Sequence, residues 1–180
     1  LGTGKNGRQL LEDLRQFGLL DADSICMLVT GENTVPMLIS AVELEPDDYL
    51  MKPFSQSVLR SRLQRVQQKK HCLYGVYQAM MMQDWPTVEV QARHLLEQYP
   101  RYAPYLRRIQ VQAMLHTGKF DAAKTELAPI LSQRRPHWAL LQQARLEMES
   151  GQHQRCQALC EEALSTNKYL VEAYDLQSEN

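Results

Sequence analysis

The chain has 180 residues, 44% of them apolar, with 20 basic against 21 acidic side chains and a net charge of −1, enough for one large or two small soluble domains. Charge this balanced excludes the positive field that holds nucleic acid by phosphate neutralisation. No apolar run approaches a membrane span, and the opening residues lack a signal-peptide pattern. Cys26, Cys72, Cys156 and Cys160 show no disulfide-framework spacing, so a reducing cytoplasm is the expected compartment.

Leu1 to Gly7 reads as a Gly-rich loop, and Arg8 to Phe17 as a helix with Leu10, Leu11 and Leu14 at helical spacing, stopped by Gly18. Ile25 to Val29 is an unbroken apolar run too short for a helix, which predicts a strand buried on both faces of a parallel sheet. It ends on Thr30 and Gly31. A helix is predicted from about Thr34 to Glu43, with Pro36 in its first turn, and then a second strand, Tyr49 to Met51, ending on Lys52 and Pro53. Strand, helix, strand makes a βαβ unit whose right-handed crossover brings both strand C-termini to one sheet edge, where open α/β sheets bind ligands. A Thr30 hydroxyl and a Lys52 ammonium at that edge would form a small anion site. The acidic pair Asp47-Asp48 precedes a strand rather than ending one, so it reads as a turn.

The segment VTG, then a helix, then DYLMKPF resembles the second half of a two-component response-regulator receiver domain, a flavodoxin-like fold. Thr30 lies 22 residues before Lys52, as the family's strand-end hydroxyl does before its invariant Lys. Tyr49 matches the family's switch aromatic and Gly31 the small residue after the hydroxyl, while NGRQLLEDLR (Asn6 to Arg15) is similar to the segment at the third helix. The resemblance implies that Thr30 and Lys52 sense phosphate and that Tyr49 and Gly31 belong to the switch. It also implies a phosphoacceptor Asp and an Mg²⁺-binding acidic pair upstream of Leu1. The chain is therefore expected to be a fragment of a longer bacterial protein, without a cofactor of its own, Mg²⁺ being expected only in an intact receiver. The two strands, with open edges, are expected either to pair with a second copy or to leave residues before about Ser24 unordered.

Ser55 can cap a helix with Val58, Leu59, Leu63 and Val66 on one stripe and Arg60, Arg62, Arg65, Lys69 and Lys70 on a face read as solvated. No Gly or Pro interrupts Ser55 to Tyr74, so the junction is expected to be stiff, either continuous or broken once near Gln68 to His71. Beyond it the pattern is wholly helical. The turns Gln83-Asp84-Trp85, Gly118-Lys119-Phe120 and Gly151-Gln152-His153 recur at 35 and 33 residues, each between two helical runs. A helix-turn-helix unit cannot bury both apolar faces alone, whereas stacked copies can.

These units resemble tetratricopeptide repeats, with Gly118, Phe120 and Ala123 in the family's Gly, aromatic and small positions. Trp85 and Val88 stand there in the first copy, Gly151, His153 and Ala163 in the third. Tyr169 to Gln177 reads as a capping helix or the start of another repeat. The predicted architecture is thus α/β followed by all-α: a partial receiver over residues 1–68 and an α-solenoid of about three repeats over 69–180. The resemblance implies peptide binding in a groove lined by the first helix of each pair, and phasing points to Tyr77, Tyr105, Arg108, Gln112, Trp138, Leu141 and Arg145. Aromatic and Arg side chains suit such a surface.

His153, Cys156 and Cys160 share one helical face, but Cys156 and Cys160 fall where small residues pack, so packing is favoured over zinc. The run Met80 to Met82 fits a plastic binding surface and a helix core equally well. No nucleophile elbow, Walker loop or zincin motif occurs, and no enzyme activity is expected. The functional expectation is a response-regulator fragment with a protein-binding repeat output, served in the intact protein by a sensor kinase. The alternative is a constitutive scaffold whose receiver remnant is purely structural. Neither reading involves nucleic acid or membrane.

Overall fold

The computed structural model describes residues 7–31, 46–168 and 170–180. The helix expected from Thr34 to Glu43 lies outside these residues, as does Tyr169. Two compact units are resolved by contact, Leu1–Gln78 and Ala79–Asn180. The described chain is mostly helical, with one small parallel sheet.

In the first unit, α1 (Gly7–Gln16) buries Leu11 and leaves Leu10 in solvent. It ends where Gly18 takes φ +63°, with the Leu19 amide bonded back to Leu14 O at 2.9 Å. A left-handed residue lets the chain turn back on the last carbonyls, and Gly adopts it without a Cβ penalty. Strands β1 (Met27–Thr30) and β2 (Asp48–Met51) pair in parallel, Met27 opposite Asp48 and Thr30 opposite Met51. Both-face burial is not found: Leu50 is buried, but Val29 and Met51 are 44% and 41% exposed. Among the described residues β1 has β2 as its one sheet neighbour, so apolar content marks the strand without guaranteeing two covered faces.

After the cis Lys52-Pro53 peptide, Ser55 caps α2 (Gln56–Cys72), its hydroxyl accepting from Val58 N at 3.3 Å. Helix α2 packs on β2 and buries Val66. The break comes at Leu73, two residues beyond the expected span, where the fully buried Leu73 ends α2 and α3 (Tyr74–Met81) begins.

The second unit contains α4 (Trp85–Gln98), a 3₁₀ turn at Pro100–Tyr102, α5 (Ala103–His116), α6 (Phe120–Gln133), α7 (His137–Glu149), α8 (His153–Thr166) and α9 (Val171–Glu179). From α4 to α9 each helix packs on the next, and α7 also packs on α5 and on α9. Three turns share one geometry. Gln83, Gly118 and Gly151 have φ of 55°, 70° and 69°. Their amides bond to Met80 O, Leu115 O and Met148 O, and the next amides, of Asp84, Lys119 and Gln152, reach Ala79 O, Met114 O and Glu147 O. That pair of bonds is the Schellman C-cap, which satisfies carbonyls the helix leaves open.

Five residues after each left-handed residue stands a side chain with no exposed surface: Val88, Ala123 and Cys156. Small residues there let the second helix of each pair approach closely. Between the hairpins the core continues through Val111, Met114, Ala123, Leu127, Ala139 and Leu146, and then through Leu140, Leu141, Ala144, Cys156, Cys160, Ala163, Ala173 and Leu176.

Candidate functional site

In the first unit, pairing in register makes β1 and β2 end together, and the Lys52 amide donates to Thr30 O at 2.7 Å. Thr30 and Lys52, far apart in sequence, therefore leave the sheet side by side, Thr30 half-buried and Lys52 exposed. Gly31 follows, with nothing among the described residues within 4 Å of where a Cβ would stand. The backbone pairing thus brings together the two residues expected to form the anion site. Tyr49 sits opposite Leu28, half-buried, and its hydroxyl is buried without a hydrogen-bond partner among the described residues.

Asp47 and Asp48 are more than a turn. Asp48 opens β2, and its carboxylate meets Arg62 Nη1 at 2.8 Å and Arg65 Nη2 at 2.7 Å. Asp47 accepts from the Cys26 amide at 2.8 Å and pairs with Lys70 Nζ at 3.1 Å. Three cations of the face expected to be solvated thus fasten α2 to the strands. Burial raises the Asp48 pKa, but the Tyr49 amide, Arg65 and Arg62 outweigh it and hold the carboxyl below its ordinary value. The readable signal was the i, i+3 spacing of Arg62 and Arg65, which puts both on one helical face. Lys70 also sits over the Tyr77 ring, 4.4 Å from its centroid.

The groove candidates separate. Tyr77 lies in the first unit, and the other six lie in the second. Tyr105, Arg108 and Gln112 are half-buried on α5. Trp138 is half-buried on α7, against the cluster that contains Val111 and Leu146. Arg145 pairs with Glu172 of α9 at 3.1 Å. Leu141 does not face a groove: only 1% exposed, it belongs to the core shared by α7, α8 and α9. The physical reason is the packing of α8 and α9, whose Cys156, Cys160, Ala163, Ala173 and Leu176 share that core with α7.

Several polar features depend on packing between helices. Glu89 is buried on α4, its two oxygens held by Arg93 Nη2 at 3.0 Å and Lys119 Nζ at 2.7 Å. Trp85 and His116 stack at 3.9 Å with planes 7° apart, and burial, aided by Arg145, pushes the imidazole below its usual pKa. An open depression of about 370 Å³ between α6, α7 and α8 has Leu131, Ala158 and Leu159 with Gln143, Glu147 and Arg155 around it.

Cys156 and Cys160 have no exposed surface, whereas His153 bonds Asn180 Oδ1 at 2.9 Å from the surface. The two cysteines therefore pack in the core and the histidine stands apart from them. Burial, reinforced by Cys156, pushes the Cys160 thiol up to about 11. Of the methionine run, Met80 is half-buried while Met81 and Met82 are exposed. A scan against protein-family models matches no family, and searches of curated proteins and of solved structures return no match.

Proposed function

We propose that this chain joins the phosphate-reading half of a receiver to a tetratricopeptide-repeat module, and that it signals by protein contact. The observation that carries the receiver reading is the strand-end pair. Thr30 ends β1 and Lys52 follows the last residue of β2, the two parallel strands ending together, with Tyr49 two residues from the end of β2 and its hydroxyl without a partner among the described residues. The repeat reading is supported by three Schellman turns with the same left-handed position, each followed by a buried small or β-branched side chain.

In this reading, phosphorylation in the intact protein draws Thr30 and Lys52 onto the phosphoryl oxygens, and Tyr49 turns inward. The repeat helices of the second unit meet a protein partner through Tyr105, Arg108, Gln112, Trp138 and Arg145. The test is Lys52→Ala in the intact regulator. Loss of phosphorylation-dependent partner binding is expected. Binding that stays phosphorylation-dependent contradicts the mechanism, and binding indifferent to phosphorylation in the unsubstituted protein favours the constitutive scaffold.

A further inference from the structure

The main chain of Tyr49 is held by its neighbour Asp48 on β2 and by Arg62 on α2. Its amide donates to Asp48 Oδ1 at 2.8 Å, and its carbonyl accepts from Arg62 Nη1 at 3.1 Å. The same Arg62 nitrogen donates to Asp48 Oδ1 at 2.8 Å. Arg62, Asp48 and both polar groups of the Tyr49 backbone thus form one closed set of bonds between β2 and α2. Arg65 differs in an instructive way. It meets Asp48 Oδ2 at 2.7 Å, on the other carboxylate oxygen.

We infer that Arg62 is a positioning residue that couples Tyr49 to α2; this rests on the reading of Thr30, Lys52 and Tyr49 given above. A guanidinium is a rigid planar donor, and its bonds to charged and carbonyl oxygens weaken steeply with angle. The Tyr49 peptide cannot rotate or shift along β2 without breaking the Arg62 bond or carrying Arg62 with it. Arg62 is one turn from Val66, which anchors α2 in the core. A displaced Arg62 therefore moves the helix rather than a free side chain. The Tyr49 hydroxyl, buried without a partner among the described residues, supplies the reason to move, since a buried donor without an acceptor is costly. Anion capture would act at Lys52, three residues along the chain from Tyr49, and at Thr30 on the paired strand.

The experiment follows backbone amide shifts of the ¹⁵N-labelled chain during titration with inorganic phosphate. In the unsubstituted chain, Thr30, Lys52 and the α2 amides around Arg62 are expected to shift with one midpoint. Arg62→Gln is expected to keep the Thr30 and Lys52 shifts and lose those of α2. Arg62→Lys, whose ammonium can meet both acceptors, is expected to recover them. Arg65→Gln removes a comparable ion pair, and Asp48→Asn leaves Arg62 its bond to Tyr49, so both retain the α2 response. An α2 response that survives Arg62→Gln overturns the coupling, as does equal loss in Arg65→Gln. Survival in Thr30→Val also overturns it, because phosphate would then be binding the helix directly. Absence of any shift at Thr30 and Lys52 in the unsubstituted chain removes the anion reading itself, and the coupling with it.

Discussion

The left-handed residue in each turn is the most telling single-residue feature of the helical unit. Gln83, Gly118 and Gly151 share it, but only two of them are residues that adopt it without strain. Gly118→Ala puts a Cβ into open space, so its cost is conformational alone, about 1 kcal/mol. Gln83→Gly should act with the opposite sign and stabilise by a few tenths to about 1 kcal/mol. Paired denaturant unfolding of the two variants checks both signs. Failure of Gly118→Ala to destabilise would mean that the turn is not needed in this form.

Cys160 gives a second residue-scale outcome. Its folded pKa of about 11 lies above the ordinary thiol value of 9.0 because burial disfavours the thiolate. The folded state therefore holds the proton more tightly than the unfolded state between those values. This contribution to stability is complete below pH 9 and is lost as pH rises through about 11. Cys160→Ala should flatten that alkaline loss in a pH series of thermal unfolding curves. At pH 8 the half-buried Cys26 and Cys72 should react with a thiol reagent well before Cys156 and Cys160.

At the scale of elements, the attachment of α2 to β2 is electrostatic as well as apolar. Asp48 titrates below its ordinary 3.8 when folded. Its stabilising contribution is therefore present above that value and is lost as pH falls through the depressed folded pKa. Asp48→Asn should shift the acid loss of the β2 amide signals towards that of a chain without the clamp. An unchanged acid transition would show that Arg62 and Arg65 contribute nothing measurable, the common result for exposed pairs.

Elements were legible where local chemistry decides them. Gly18, Ser55, Gly118 and Gly151 mark helix ends by backbone freedom or capping, and the three turns are spaced by the chain itself. Strand β1 was found from its apolar run, although it begins two residues later and is less covered than the run suggests. What was not legible depends on which element covers which. Leu141 and Trp138 have similar sequence surroundings on α7, and only the packing of α8 and α9 against α7 makes Leu141 core. Glu89 meets Lys119 thirty residues away, and no periodicity marks a partnership made by packing.

For the molecule as a whole, two units of different architecture sit on one chain, and the account assigns them different tasks. In the proposed function the strand pair reads an anion, and the helical hairpins present aromatic and Arg side chains to a partner. Val88, Ala123 and Cys156 are fully buried at the same position after each turn, so the surface of the hairpins rests on a core beneath it. The strand pair has no such depth, and its function rests on register: a one-residue slip of β2 would carry Lys52 away from Thr30.

The most direct measurement is therefore the phosphate titration of the unsubstituted chain, read at single amides. The account predicts that Thr30, Gly31 and Lys52 respond first and together, and that Lys52→Ala abolishes the response. Shifts spread over surface lysines and arginines, with the strand ends silent, would contradict it.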